Sequence, residues 1–189
     1  MRYFILSLLL ISLPFTKSIA CSCSPRTPEL IHSMHDYYEV IFTGTVITAD
    51  SWNDYLLDRS NNNRESSEVY MRVDSVIKGN LKVGQVIFIY QTLGGCTEMF
   101  EYDSKKLVFG RVMKKLSYIE SEKDTTNYPP PGPPLGLEED GSYVVSDHLE
   151  LYDFLNFKLK HYSVIDTGMC STFNYQSRAY KEVIEWLKQ

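Results

Sequence analysis

The chain has 189 residues, 43% of them hydrophobic, with 24 acidic groups against 19 basic ones and a formal net charge of -5. Its length suits a single domain able to bury a sizeable core. The acidic balance, with no basic stripe, argues against nucleic acid and mainly favours solubility.

Residues 1–20 combine a basic start at Arg2, an apolar run from Phe4 to Phe15 and the small-residue pattern Ser18-Ile19-Ala20, which together predict an export signal cut after Ala20. The run is short of the ~20 apolar residues a spanning helix needs, so it reads as removed rather than as an anchor. No membrane span is then expected in the mature chain, and the destination is extracellular or periplasmic. The rival reading is a lipoprotein signal with Cys21 acylated. Ser18 speaks against it, because lipoprotein signals normally carry an aliphatic residue there.

The cut makes Cys21 the first residue of a single domain over 21–189, opening Cys21-Ser22-Cys23-Ser24-Pro25. A leading cysteine brings its α-amine, carbonyl and sulfur within a few bonds of each other. With the sulfur held in a disulfide, the other two form a bidentate metal ligand on a tethered chain end. All four cysteines, Cys21, Cys23, Cys96 and Cys170, lie beyond the cut, and an even number behind an export signal implies disulfides. Partners in a Cys-x-Cys bridge each other awkwardly, so each should reach a distant cysteine, which leaves two pairings open. Either pins the first residues to the core, at up to roughly 4–5 kcal/mol per crosslink by chain entropy. A zinc or copper site is the competing reading, but structural zinc sites pair Cys-x2-4-Cys units and no second pair exists; a redox site would want Cys-x-x-Cys.

Thr27-Pro28-Glu29 reads as a helix start, with Leu30, Ile31, Met34 and Tyr38 on one face. His32 and His35 could in principle share a metal; solvent-facing histidines on an amphipathic helix are the better reading, since no ligand pattern flanks them. The β-branched and aromatic run Tyr38 to Thr48, with Gly44 as a bulge, is a buried strand. Polar residues from Asn53 to Ser67 read as an exposed hairpin arm. Val69, Met71 and Val73 alternate with Tyr70, Arg72 and Asp74 in a second strand ending near Lys78-Gly79-Asn80. Val86–Tyr90 is a third, and Lys106–Val112, again with an internal glycine, is a fourth.

Short strands interrupted by glycine predict a mostly β fold, an OB-fold-like barrel of five strands with flanking helices. From about 114 to 160 the pattern loosens into an insertion. There Tyr128–Leu137, rich in proline, is expected as an extended surface loop, and the alternating Leu155, Phe157 and Leu159 suggest a strand or hairpin. Tyr162–Ile165 is a strand leading to Cys170. Tyr180, Val183, Ile184 and Leu187 place an amphipathic helix over Ser177–Gln189 against the barrel, with Trp186 at its margin.

The opening pentad, the helix after it, the strand Glu39–Val46, Ile77-Lys78-Gly79, Val86–Tyr90 leading to Cys96, and Lys105–Arg111 together resemble the tissue inhibitors of metalloproteinases (TIMPs) and the wider netrin-like module. The resemblance covers most of the mature chain outside the insertion. It implies an OB-like barrel and the pairings Cys21–Cys96 and Cys23–Cys170. It further implies that Cys21 chelates the zinc of a target metalloprotease and that Ser22 enters its specificity pocket. Cys23, Ser24 and Pro25 complete the contact segment, and Gly94 and Gly95 line the same ridge. The chain departs from the pattern at Ser33, about where the family has a third amino-terminal cysteine.

The expected function is therefore inhibition of zinc endopeptidases, with a zinc metalloprotease as partner and no cofactor of its own. The alternative is a non-inhibitory extracellular or envelope interaction module, lipidated at Cys21. An enzyme is not expected: Gly-x-Ser-x-Gly and His-Glu-x-x-His are both absent and four scattered histidines form no triad.

Overall fold

Helix α1 (Pro28–Tyr37) begins where the sequence placed it: the Thr27 hydroxyl accepts from the Leu30 amide at 3.3 Å, and proline occupies the first turn. The computed structural model describes residues 27–49, 69–91, 100–120, 135–168 and 170–188. The chain turns extended at Tyr38, whose amide closes the helix on the Met34 carbonyl. It continues through β1 (Val40–Ala49), β2 (Val69–Lys78), β3 (Val86–Tyr90) and β4 (Lys105–Val112). After the insertion come β8 (Ser163–Asp166), β9 (Thr172–Asn174) and helix α3 (Arg178–Trp186).

Five of these strands form a closed mixed barrel in the order β1-β2-β3-β8-β4, sealed by pairing of β1 with β4. Only β3 and β8 run parallel; the other pairs are antiparallel. Strand β1 pairs on both sides, and its register against β2 slips at Ile41/Phe42, Thr43/Gly44 and Val46/Thr48. Such bulges add the local coil by which a small sheet closes on itself. Gly44 is the glycine expected there, and a Cβ on it would lie 2.9 Å from the Arg72 carbonyl.

Alternation along the strands sorts the side chains into three cores. Val40, Phe42, Met71, Ile87, Ile89, Val108 and Ile165 fill the barrel. On one outer face, Ile41, Leu107 and Phe109 are covered by Ile31 of α1, Phe173 of β9 and Val183 of α3. Ser177 caps α3 by accepting from the Tyr180 amide at 3.1 Å. On the other face, Phe88, Tyr90 and Val164 lie beneath the inserted residues. Burial on both sides is why β3 reads as an unbroken apolar run instead of alternating.

The described part of the insertion is more regular than its composition suggested. It builds β5 (Leu116–Ile119), β6 (Leu135–Leu137) and β7 (Tyr143–Ser146), a three-stranded sheet in the order β5-β7-β6, followed by helix α2 (Leu149–His161). Two expectations are corrected here. Leu135–Leu137, read as part of a surface loop, forms an edge strand antiparallel to β7, a position compatible with its proline-rich approach. Leu155, Phe157 and Leu159 belong to a helix and not to a strand. A strand would have put all three on one face, whereas Leu155 is 0% and Phe157 55% exposed, and the buried neighbour of Leu155 is Lys158. Strand β9 was not anticipated, since three residues carry too little periodicity to be seen. The hairpin arm expected from Asn53 to Ser67 and the segment Tyr128–Pro134 lie outside the described residues.

Candidate functional site

Because β3 and β8 are parallel, they deliver their carboxyl ends to the same end of the barrel. Tyr90 stands opposite Asp166, and Asp166 stands opposite Arg111 of the antiparallel neighbour β4. One rung thus carries Tyr90, Asp166 and Arg111 across three strands on the outer side of the barrel, with Tyr143 of β7 against Asp166 and Tyr37 of α1 against Arg111. The Tyr143 hydroxyl of β7 donates to Asp166 Oδ2 at 3.0 Å. The Arg111 guanidinium lies 3.8 Å over the ring of Tyr37, and its Nε is buried without a hydrogen-bond partner.

Burial governs the electrostatics of this seam. It pushes the Asp166 carboxyl above its usual range, against the opposing pull of the Tyr143 hydrogen bond and Arg111. Burial, reinforced by the charge of Asp166, keeps Tyr143 protonated far above the ordinary phenol range. Tyr38 is also raised by burial, and a hydrogen bond with Ser171 works the other way. Tyr143 is therefore a permanent donor and Asp166 a carboxyl that resists ionisation, a combination that stitches layers together.

Immediately beyond the rung, the Thr167 amide and hydroxyl both donate to the Tyr90 carbonyl, at 3.1 and 3.3 Å. A Cβ on Gly168 would come 2.5 Å from Tyr38 Oη. Ser171 Oγ donates to the Gly168 carbonyl at 2.6 Å, and the Ser171 carbonyl accepts from the Phe109 amide at 2.9 Å. Cys170 sits inside this turn at φ 62° and is disulfide-bonded. Its mount is accordingly fixed on both flanks. From Gln91, at the end of β3, the chain leads on to Gly94, Gly95 and Cys96.

Of the residues singled out from the sequence, Cys21, Ser22, Cys23, Ser24, Pro25, Gly94, Gly95 and Cys96 lie outside the described residues, and Cys170 lies within them. His32 Nε2 is 3.1 Å from the Trp186 carbonyl and His35 Nδ1 is 3.4 Å from Asp36 Oδ1. Among the described residues no group of three or more His, Cys, Asp or Glu side chains could hold a metal. Sequence reasoning missed the rung. Its one visible signal was a carboxylate, Asp166, directly after the apolar pair Val164-Ile165. No protein-family model and no curated protein matches the sequence. Among the described residues no helix is long and apolar enough to cross a membrane.

Proposed function

We propose that the chain is a secreted, TIMP-like inhibitor of zinc metalloendopeptidases. The observation that carries this reading is the closed OB-fold-like barrel whose parallel β3 and β8 send their chain ends out side by side. A barrel end of this kind gives a short chelating tip a rigid base, with Cys170 already disulfide-bonded in a braced turn. The sequence supplies the tip, Cys21-Ser22-Cys23-Ser24-Pro25.

In this reading Cys21 pairs with Cys96 and Cys23 with Cys170, so that the first residues lie over the ends of β3 and β8. The α-amine of Cys21, with an ordinary pKa of about 7.7–8.0, is neutral in a useful fraction of molecules near pH 7 and joins its own carbonyl on the protease zinc. Catalytic zinc keeps one position for water, and the amine and carbonyl displace it. Ser22 enters the pocket beside the zinc, and Gly94 and Gly95 flank it without side chains to clash. Pre-ordering by two disulfides spares the tip the entropy that a free peptide loses on binding.

The test is inhibition of a panel of zinc endopeptidases by protein beginning at Cys21, against the same protein with one alanine added before it. The expected result is inhibition by the first and none by the second, since the added residue moves the free amine off the metal. Equal behaviour of the two, or no inhibition across the panel, overturns the proposal. Mass spectrometry of the native amino terminus is the companion measurement, because an acylated Cys21 has no amine to offer and points to the interaction-module alternative.

A further inference from the structure

The barrel closes on itself, but among the described residues the inserted sheet ends in two borders, β6 on one side and β5 on the other. Strand β6 directly follows Pro133-Pro134 in the sequence, and proline beside a border discourages further pairing. Strand β5 has no such guard. Its residues Leu116-Ser117-Tyr118-Ile119 include no proline and no charge, and Ile119 is 52% exposed. The charges stand at its ends, with Lys114 and Lys115 before it and Glu120 after it, all three exposed.

The ladder shows which backbone groups the border presents. On the paired side, the Lys115 and Ile119 carbonyls accept from the Tyr143 and Asp147 amides at 2.9 and 3.1 Å. Alternate residues of a strand serve the same neighbour, so Leu116, Tyr118 and Glu120 turn their amides and carbonyls the other way. The inner face of β5 is fixed meanwhile by α2, where Tyr118 packs against Tyr152 at 5.7 Å between ring centroids. The strand is held straight at an open side.

This strand is complementary to itself. Two antiparallel self-pairings keep the outward groups in phase, one centred on Tyr118 and one on Ser117. Centred on Tyr118, Leu116 meets the Glu120 carboxylate of a second copy, a poor match. Centred on Ser117, Leu116 meets Tyr118 and Lys114 meets Glu120, so each rung joins like polarity or opposite charge. A parallel in-register pairing would set every charge beside its own kind. Lys114 already lies 2.8 Å from Glu39 within the chain, but both side chains are largely exposed, and a surface pair of this kind exchanges partners at little cost.

We propose that β5 is a self-association border, through which two copies of the chain join about a two-fold axis at Ser117 into one continuous sheet, β6-β7-β5 followed by the same strands reversed. The assignment is independent of protease inhibition and leaves the barrel end unobstructed by definition of the strands it uses.

Sedimentation of the full chain, with a charge swap, tests it. The wild type should pass from monomer to dimer as concentration rises, and amide exchange at Leu116 and Tyr118 should slow with it. Glu120→Lys alone, or Lys114→Glu alone, sets like charges opposite each other at both ends and should weaken self-association about tenfold. Mixed together, the two variants restore both opposite-charge rungs and should form a heterodimer at least as tight as the wild-type dimer. A wild type that stays monomeric at about 1 mM overturns the proposal and leaves the border to another protein's strand. A dimer indifferent to Glu120→Lys, or a mixture no tighter than the separate variants, overturns it as well. Glu120 is exposed and lies beyond the strand, so its variant retains the fold, which circular dichroism checks.

Discussion

Replacing Gly110 by alanine attacks the barrel at its narrowest seam. Strands β4 and β8 share two register pairs, Arg111 with Asp166 and Val112 with Ile165, and Gly110 directly precedes them. A Cβ at this position would collide with Ile165 Cγ2 and stand 3.1 Å from the Asp166 carbonyl. The first is a methyl held close to the backbone by β-branching and the second is backbone itself, so neither swings aside. Overpacking of this kind costs about 1–3 kcal/mol, and parting the strands adds about 1 kcal/mol for a weakened ladder bond. A loss of about 2–4 kcal/mol is therefore expected, a large share of the roughly 5–15 kcal/mol that holds a domain folded.

Urea unfolding followed by circular dichroism measures it, with an unchanged m-value confirming that stability alone has moved. The deciding arm is the second substitution. Ile165→Leu removes the methyl at Cβ and should recover about 1 kcal/mol or more in the Gly110→Ala background. Ile165→Val keeps Cγ2 and should recover nothing. A Gly110→Ala variant within about 0.5 kcal/mol of wild type, or equal rescue by leucine and valine, refutes the steric account.

Burial raises the Asp166 pKa in the folded protein, so ionising this group opposes folding. Its favourable contribution is complete below the ordinary carboxylate value of 3.8 and is lost as the pH climbs through the raised one. Asp166→Asn, which can still accept from Tyr143, should gain stability relative to wild type over that interval; a difference that stays flat from about pH 3 to about pH 7 contradicts the assignment. Leu155→Ala empties a fully buried site between α2 and the barrel. It should cost about 2–4 kcal/mol and speed hydrogen exchange in α2 more than in β1; uniform acceleration would tell against a separable inserted layer. Ser177→Ala removes the cap of α3 and should cost about 1 kcal/mol, restored by aspartate at the same position.

How far the sequence could be read depended on how local the determinants were. The start of α1 was visible in Thr27-Pro28, and β1 to β4 in their β-branched runs, with internal glycines in β1 and β4, because caps and alternation act over a few residues. Helix α2 was misread because its buried face mixes Leu155 with Lys158. A lysine counted as polar leaves Leu155, Phe157 and Leu159 looking like a strand. The Lys158 ammonium lies beside Tyr70 and Phe88, far away in sequence and invisible to any local window. The Tyr90–Asp166–Arg111 rung was hidden for the same reason, since each member lies on a different strand and the register exists only once the barrel closes. The expected chelating tip rests on the pentad Cys21–Pro25, a chemical motif legible without any fold, and those residues lie outside the described ones.

The order of strands around the barrel also sets a timetable. Strand β8 separates β3 from β4 in the wall, yet the ribosome makes it after both, with the whole inserted layer in between. Until Ser163–Asp166 emerges to meet Ile87–Tyr90, the nascent polypeptide holds two unpaired strand borders beside a half-made apolar interior. Joining such remote segments is slow, and open borders recruit other chains while they wait. The hazard of aggregation is thus concentrated in one late interval of synthesis, when a chaperone that shields strand borders has the most to contribute.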